Sequence, residues 1–277
     1  MNSLQKIAMV IDADNTQISK IEAVIREISK HGRIVVKRAY GNWKKDTLKN
    51  WEGEIKRLAI KAEQQFDYVS GKNATDMALV IDTIELLYAN IYDAFVIVSS
   101  DSDYTPLAIK LHESGVYVMG VGERKTPEAF RNACDEFIFL ENLSAEERSS
   151  AAKKGDGENG KPENREKESH HEAKAAAAGE SRGASRKQAE GAREVDDTDL
   201  EEIHKLLRIA YDTYQDDDGY VNVSAAGTFI KRAKPDFDTR TYGFVKLPQL
   251  IEAFPDRYEM KRYPGKGTVT IVAYKCR

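Results

Sequence analysis

The sequence is poor in cysteine, in proline and in long apolar runs. It contains two cysteines and seven prolines among 277 residues. Cys134 and Cys276 lie in different regions of the chain, so we expect neither a disulfide framework nor a cysteine zinc site. No apolar stretch approaches the roughly 20 residues that a membrane-spanning helix needs, and the first residues lead into a strand-like run rather than a signal peptide. These absences predict a cytoplasmic protein with no membrane partner.

A strong excess of positive charge is also absent. Charged residues make up 32% of the chain, and the formal net charge is -4 at pH 7. Because the overall field would repel a polyanion, any contact with nucleic acid must come from local basic patches. The length exceeds that of a typical domain and predicts either one large domain or two modest ones.

Composition divides the chain into three segments. Residues 144–197 contain mainly small, polar and charged residues, with almost no large apolar residue before Val195. Such a segment cannot bury enough apolar surface to offset the entropy lost on ordering. We therefore predict a disordered charged linker at 144–197, between a first domain of residues 1–143 and a second domain of residues 198–277.

Strand-like and helix-like patterns alternate in the first segment. Short apolar runs predict strands at 7–11, 34–36, 66–69, 94–98, 116–121 and 137–139. In the segments between these runs, apolar residues recur at helical spacing. Strands that are buried on both faces and separated by helices predict an α/β domain with a doubly wound, mainly parallel sheet.

The pattern of the last segment is different. Apolar residues at helical spacing predict helices at 200–211, 223–232 and 247–254, and a hairpin follows at 258–274. Three helices and a terminal hairpin predict a small α+β domain of the winged-helix type.

Aspartates follow two of the predicted strands. Asp12 and Asp14 follow the first strand, while Asp101 and Asp103 follow the strand at 94–98. If these strands are neighbours, the carboxylates converge at the edge where open α/β sheets bind ligands. Converging carboxylates repel one another unless a cation lies between them, and hard oxygen ligands suit Mg²⁺ or Mn²⁺. The sequence therefore predicts a divalent metal site.

A helix contributes a further acid to this site. Asp76 lies in the first turn of a predicted helix, whose N-terminus brings anionic groups to the same edge of the sheet. Asn15 can orient the acidic cluster by hydrogen bonding or contact the substrate. Asp82 lies too far round the helix from Asp76 to face the cleft, and we expect it on the surface.

Helix capping is the alternative explanation for two of the acids. Asp14 and Asp103 each precede a predicted helix and can simply cap it. Asp12 and Asp101 stand directly at the ends of buried strands, where we expect no capping role. The residues alone therefore favour Asp12 and Asp101 as functional groups.

The segment from Asp12 to Thr16 also resembles another catalytic motif. In phosphatases of the haloacid dehalogenase type, the first Asp of an Asp-x-Asp loop attacks phosphorus and the second is the general acid. That family usually has glycine where Asn15 stands, and a cap insertion and a suitable downstream lysine are missing here. A phosphatase is thus an alternative function.

Three motifs in order resemble an NYN domain of the LabA/DUF88 type, a branch of the PIN-like nuclease superfamily. The resemblance covers about residues 6–143 and implies a metal-dependent ribonuclease. It implies that Asp12, Asp76 and Asp101 bind Mg²⁺ or Mn²⁺, with Asp103 and Asn15 in supporting catalytic roles. The three motifs are Val-Ile-Asp12-Ala-Asp14-Asn15, Gly71-Lys72-Asn73-Ala74-Thr75-Asp76 and Val-Ser-Ser-Asp101-Ser-Asp103-Tyr104.

The last segment resembles an OST-HTH/LOTUS domain, most clearly over residues 238–251. That family is a winged-helix module linked to RNA binding and, in some members, to protein partners. The resemblance implies RNA as a partner of this chain, and protein partners through the C-terminal domain.

Basic and aromatic residues give candidate contacts to nucleic acid. Cations interleaved with aromatic rings can hold a single-stranded backbone and stack a base. A solvated loop with Trp43 packed on the domain explains the first group equally well, and helix ends favour the cations of the second group in any case. The candidates are Arg38, Trp43, Lys44 and Lys72 in the first domain, and Lys231, Arg232 and Lys246 in the second.

The predicted function is a metal-dependent ribonuclease with a tethered RNA-binding domain. The alternatives are a non-catalytic RNA-binding or scaffold protein that keeps the acidic pocket, and the phosphatase described above.

Overall fold

The computed structural model describes residues 4–66, 73–143, 197–265 and 270–277. It contains an α/β domain with a six-stranded sheet, followed by a smaller domain of helices and an antiparallel sheet. The predicted fold class is confirmed for both domains. The predicted disordered linker lies outside the described residues, except for Asp197, which begins a helix.

The first domain is built on one parallel sheet. Its strands have the order β3-β2-β1-β4-β5-β6, and every neighbouring pair is parallel. The strands are β1 (Leu4–Asp12), β2 (Gly32–Gly41), β3 (Lys61–Gln64), β4 (Ala94–Val98), β5 (Tyr117–Gly122) and β6 (Glu136–Phe139). Parallel strands need long crossover connections, and these contain helices α1 (Ile21–Ile28), α2 (Trp51–Leu58), α3 (Ala74–Tyr88), α4 (Thr105–Glu113) and α5 (Glu128–Asn132).

The central strands are buried because helices cover both faces of the sheet. All five residues of β4 and the last six residues of β1 are buried. Alternate side chains of these strands enter two separate apolar clusters, one on each face. Helix α1 places Ile21, Val24 and Ile28 on its buried side, as a helical repeat requires.

The strand order creates a crevice at the centre of the sheet. The chain starts at β1, adds β2 and β3 on one side, and then returns to place β4 on the other side of β1. Ile11 of β1 lies opposite Val98 of β4, so the carboxyl ends of these strands are adjacent. Such a switch point is where open α/β sheets bind ligands.

The strand predicted at 66–69 is wrong at its first residue. The third strand of the sheet is β3, at Lys61–Gln64, and Phe66 lies outside it. Residues 67–69 lie outside the described residues. Strand β3 is a mostly exposed edge strand with the sequence Lys-Ala-Glu-Gln, so it lacks the apolar run on which strand prediction depends. Charged side chains on an edge strand also discourage pairing with another chain.

The second domain has three helices and a three-stranded antiparallel sheet. Its sheet has the order β7-β9-β8, and its core is a single apolar cluster. The predicted helices and hairpin are confirmed, whereas the two-residue strand β7 was not predicted. The elements are α6 (Asp197–Tyr214), β7 (Val221–Asn222), α7 (Val223–Ala233), α8 (Leu247–Glu252), β8 (Tyr258–Pro264) and β9 (Thr270–Cys276).

None of the helices in the described part of the chain has both the length and the apolar character that crossing a bilayer requires.

Truncation of a side chain in β4 tests the packing of the sheet. Ile97 is fully buried, so we expect Ile97→Ala to lower the free energy of unfolding by about 2–5 kcal/mol in chemical denaturation. The control is Ile81→Ala on α3, where the side chain is 55% exposed and the loss should be far smaller. Equal losses for the two variants would contradict the packing described here.

Candidate functional site

The acidic residues predicted from the sequence gather at the crevice between β1 and β4. Asp12 is the last residue of β1, and Asp101 follows β4 by three residues. Asp103 lies in a short 3-10 helix at Ser102–Tyr104, and Asp76 lies in the first turn of α3. The sheet topology thus brings together residues that are up to 91 positions apart in the sequence, from Asp12 to Asp103.

Three carboxylates are close enough to share one ion. Asp76, Asp101 and Asp103 each offer an oxygen, and these three oxygens all lie within 4.8 Å of one another. Metal–oxygen distances in Mg²⁺ and Ca²⁺ sites are about 2.0–2.6 Å, so a single divalent ion fits between such oxygens. An all-oxygen donor set also suits Mg²⁺ or Mn²⁺ rather than a softer metal.

Within the described residues, no lysine, arginine or histidine balances the charge of these three carboxylates. Among the described residues, none of the three forms a salt bridge with lysine, arginine or histidine, although such pairs are frequent elsewhere in the chain. Burial raises the pKa of Asp76 above its usual value, and the charges of Asp101 and Asp103 raise it further. Binding of a cation would relieve this repulsion.

Asp12 lies beside this group and is fully buried. Its carboxylate accepts hydrogen bonds from Asn15 Nδ2 at 2.8 Å and from Ser99 Oγ at 2.9 Å. Burial raises the pKa of Asp12, and the charge of Asp76 raises it further, while the bonds from Asn15 and Ser99 act in the opposite direction. The sequence predicted Asp12 as a metal ligand and Asp103 as a support. The structure groups an oxygen of Asp103 with oxygens of Asp76 and Asp101. Direct binding of a metal ion by Asp12 stays a prediction.

The helix-capping roles of Asp101 and Asp103 differ from our expectation. The side chain of Asp101 caps the short 3-10 helix by accepting a hydrogen bond from the backbone N–H of Asp103 at 2.9 Å. Asp103 instead accepts a bond from Asn73 Nδ2 at 2.9 Å. The expectation that Asp101 has no capping role was therefore wrong, because a carboxylate can cap through one oxygen and leave the other toward a ligand.

Asp14 contacts the first turn of α3 and the loop after β2 at the same edge of the sheet. Thr75 Oγ1 donates a hydrogen bond to it at 3.3 Å, and Lys45 Nζ lies 3.4 Å away. The residue before the first helical turn is Gln17, so Asp14 does not act as the cap that the sequence allowed. Its contacts place a lysine at the rim of the acidic site.

Two residues of the site were not recognised from the sequence. Tyr104 is fully buried, and its hydroxyl donates to Asp76 Oδ1 at 2.8 Å. Burial raises the pKa of Tyr104, as do the charges of Asp12 and Asp76, so this hydroxyl stays a neutral donor. Ser99 donates to Asp12 and accepts from the backbone N–H of Asp101. The available signal was that both residues flank Asp101 within the motif.

Asp82 is partly exposed, and it belongs to a polar network that was not predicted from the sequence. Arg38 Nη1 donates to Asp82 Oδ2 at 2.6 Å, and the hydroxyl of Tyr40 also donates to this carboxylate. Burial raises the pKa of Tyr40, and its bond to Asp82 acts in the same direction. The network ties α3, which carries Asp76, to β2, and it occupies the guanidinium that was a candidate RNA contact.

The other candidate contacts of the first domain have different environments. Trp43 donates from Nε1 to the backbone carbonyl of Glu63 at 3.0 Å and packs against Trp51. Lys44 Nζ lies 5.1 Å from the centre of the Phe66 ring. Lys72 lies outside the described residues.

The candidate contacts of the second domain separate into two kinds. Lys231 Nζ pairs with Glu136 Oε1 of the first domain at 2.6 Å. Arg232 and Lys246 are exposed, so they are accessible to a ligand. Their role in RNA binding stays a prediction.

Comparison with known families divides the chain as the motifs do. A family model described as an NYN domain matches residues 6–141, and one described as an OST-HTH/LOTUS domain matches residues 197–270. The search of curated proteins found no match.

Solved structures give weaker similarities. A protein of unknown function from Vibrio parahaemolyticus is 18% identical with a TM-score of 0.41, covering 50% of this chain and 94% of its own. An uncharacterised protein from Nitrosomonas europaea is 23% identical with a TM-score of 0.25, covering 41% of this chain and 92% of its own. A putative UDP-N-acetylglucosamine 2-epimerase from Listeria monocytogenes is 14% identical with a TM-score of 0.33, covering 53% of this chain and 43% of its own. These scores are too low to support a functional argument.

The surroundings of Asp12 also bear on the phosphatase alternative. A nucleophilic aspartate needs a free carboxylate oxygen directed at the phosphorus atom. Asp12 is fully buried, and both of its oxygens accept hydrogen bonds from within the protein. The observed arrangement therefore suits a supporting carboxylate better than a nucleophile.

Neutralising one acid tests the repulsion at the site. Because the pKa of Asp76 is raised from 3.8, the folded protein holds more protons than the unfolded chain around and between the two pKa values. Its stability therefore falls as pH rises through that interval, and the loss is complete above it. We expect Asp76→Asn to raise the melting temperature by a few degrees at neutral pH in EDTA. The same variant should abolish the further rise that Mn²⁺ gives the wild type.

The control for this experiment is Asp46→Asn. Asp46 is exposed, forms a salt bridge with Lys49 and is not one of the three grouped carboxylates. This variant should keep the response to Mn²⁺. A melting temperature of Asp76→Asn that still rises with Mn²⁺ would contradict a metal site at Asp76.

Removal of the Tyr104 hydroxyl tests its role in holding Asp76. The bond from Tyr104 lowers the pKa of Asp76, so Tyr104→Phe should raise that pKa and shift the pH midpoint of Mn²⁺ binding upward in calorimetric titrations. Tyr88→Phe is the control, because Tyr88 is 76% exposed. An unchanged midpoint in Tyr104→Phe would show that the hydroxyl does not assist the acid.

Proposed function

Residues 6–141 of the chain are an NYN domain and residues 197–270 are an OST-HTH/LOTUS domain, and from this we propose that the protein is a metal-dependent ribonuclease. The NYN domain belongs to the PIN-like nuclease superfamily, and OST-HTH/LOTUS domains bind RNA. The proposed reaction is hydrolysis of RNA phosphodiesters.

One observation carries the proposal. Three carboxylates without a salt-bridge partner among the described residues converge at the switch point of the sheet. A bound Mg²⁺ or Mn²⁺ would polarise a phosphate oxygen and lower the pKa of a water molecule there. Carboxylates alone would repel a phosphodiester, so an acidic site of this kind supports phosphate chemistry only together with a cation.

The residues of the site have distinct parts in this proposal. Asp76, Asp101 and Asp103 would hold the ion, as the positions of their oxygens allow. Tyr104 fixes the carboxylate of Asp76 by donating to one of its oxygens. These fixed positions would limit the reorganisation of the site during the reaction.

A second set of contacts supports the first. Asn15 and Ser99 both donate to Asp12, which fixes the end of β1 against the loop that carries Asp101. Asp12 adds negative potential next to Asp76, and we retain it as a proposed catalytic residue. Asn15 would act on the reaction through Asp12.

Cations at the rim would bring RNA to this acidic site. Lys45 lies next to Asp14, and Lys44 is close by in the same loop. In the second domain, Arg232 and Lys246 are exposed and can contact phosphate groups. We propose that the C-terminal domain contributes most of the RNA affinity, because OST-HTH/LOTUS domains bind RNA. Protein partners of that domain and a cytoplasmic location stay predictions.

Cleavage of labelled single-stranded RNA with Mn²⁺ tests the proposal. We expect Asp101→Asn to lower the rate by at least about 100-fold, since removing a ligand of the ion removes several kcal/mol of transition-state stabilisation. Asp46→Asn should cleave like the wild type, and EDTA should stop cleavage by both. Equal cleavage by wild type and Asp101→Asn would contradict the assignment.

The same assay separates the alternatives. RNA binding that persists in EDTA, with no cleavage in Mg²⁺ or Mn²⁺, would indicate a binding or scaffold protein. Hydrolysis of small phosphomonoesters with a trappable aspartyl phosphate at Asp12 would indicate a phosphatase.

A further inference from the structure

The two edges of the parallel sheet differ sharply in burial. Strand β3 at one edge is mostly exposed, whereas all four residues of β6 at the other edge are buried. An edge strand has one row of unpaired backbone groups, which natural proteins protect or cover. Strand β6 has three large apolar residues in its sequence Glu-Phe-Ile-Phe, so it needs a cover that β3 does not need.

The C-terminal domain supplies part of this cover. The backbone N–H of Phe137 in β6 donates to the carbonyl oxygen of Pro235 at 2.9 Å. Pro235 follows helix α7 and lies in the segment that leads to Asp238. A backbone group of the edge strand is thus satisfied from the second domain.

Oppositely charged side chains surround this backbone contact. Lys231 Nζ lies 2.6 Å from Glu136 Oε1, and the carboxylate of Glu136 is buried. Arg131 forms a salt bridge with Asp236, which is also buried. Each pair joins one residue of the first domain to one residue of the second.

Further polar contacts extend the interface on both sides. Arg240 Nη2 lies 3.2 Å from Glu27 Oε1 and is also held by Asp238 of its own domain. Asn142 Nδ2 donates to Asp238 Oδ2 at 3.1 Å and lies at the same distance from the Thr241 hydroxyl. Between the domains is a cleft of about 390 Å³, with walls that include Glu136, Lys231 and Arg240.

Within the described ranges, the apolar cores of the two domains form separate clusters. Two apolar clusters contain residues of the first domain alone, and the third contains residues of the second domain alone. The attraction between the domains is therefore mainly polar and should weaken as salt screens it. It is also specific, since separating the domains would leave Glu136 without the lysine that balances its charge.

We propose that β6 and its neighbouring charges are a docking surface for the C-terminal domain, and that RNA phosphate competes with Glu136 for Lys231. In the docked state, Glu136 occupies the position that a phosphate oxygen would take against this lysine. The docking part of the proposal is independent of catalysis. The competition part rests on the proposed RNA binding.

X-ray scattering of the full chain tests docking without RNA or metal. We expect the wild type to be compact at low salt and to have a larger radius of gyration at high salt. The double variant Arg131→Glu/Lys231→Glu replaces both attractions with repulsion and should be expanded at low salt. The matched control Lys110→Glu/Lys205→Glu changes two exposed lysines and should stay compact.

Hydrogen exchange shows whether the variant remains folded. Amides of β1 and β4 should stay protected in Arg131→Glu/Lys231→Glu, while the amide of Phe137 should exchange faster. The charge swap Glu136→Lys/Lys231→Glu reverses both charges of that pair and keeps the attraction between them. This variant should therefore be compact like the wild type. An expanded wild type at low salt, or a double variant that is folded and as compact as the wild type, would overturn the proposal.

RNA titration tests the competition. Glu136→Gln removes the charge that holds Lys231, so we expect it to bind single-stranded RNA about three- to fivefold more tightly, the factor of one ion pair whose lysine is partly exposed. Glu113→Gln, at an exposed position of α4, should bind like the wild type. Addition of Lys231→Ala should remove the gain. RNA affinity that is unchanged in Glu136→Gln would overturn the competition, even if scattering supports docking and the cleavage assay succeeds.

Discussion

Repulsion among carboxylates at the end of β1 and β4 is the constraint on which the site depends. Asp76, Asp101 and Asp103 place three oxygens within 4.8 Å of one another, and Asp12 adds a fourth carboxylate beside Asp76. The surrounding donors keep these acids in place, since Tyr104 holds Asp76 and Asn73 holds Asp103. The rest of the domain must be rigid enough to resist the repulsion. The buried parallel sheet, with helices on both faces, provides that rigidity.

Other acids of the chain show what is unusual here. Asp82 is balanced by Arg38, Asp236 by Arg131 and Glu136 by Lys231. These carboxylates are partly or largely buried, and burial of an acid is costly unless a cation accompanies it. At the crevice, the nearest lysine contact recorded for the described residues is that of Lys45 with Asp14. The three grouped carboxylates have no such cationic partner within the part of the chain that the structure describes, and this difference supports the proposed metal centre.

The sequence predicted the location of the site better than its internal arrangement. Asp12 and Asp101 follow continuous apolar runs, and the end of a buried strand can be located from sequence alone. Whether Asp12 or Asp103 joins the shared group depends on side-chain directions in two loops, which no local pattern encodes. The ion pair of Asp82 was not predicted for a similar reason, since its partner Arg38 is 44 positions away. Strand β3 was misplaced because its polar sequence carries no signal of a strand.

The contact between the domains could not be predicted from the sequence either, because its partners are also far apart in the chain and no local pattern encodes them. The composition of 144–197 predicts a flexible tether, and a tether by itself predicts two independent domains. The buried edge strand β6 and its charges argue instead that the second domain has a preferred position on the first. Lys231 was predicted to contact RNA because of its charge and the resemblance of its domain to an RNA-binding family, and Glu136 pairs with that same charge. A cation suited to phosphate is equally suited to a carboxylate. Glu136 on the docking surface can therefore restrain an RNA-binding domain by pairing with the lysine that would otherwise contact phosphate.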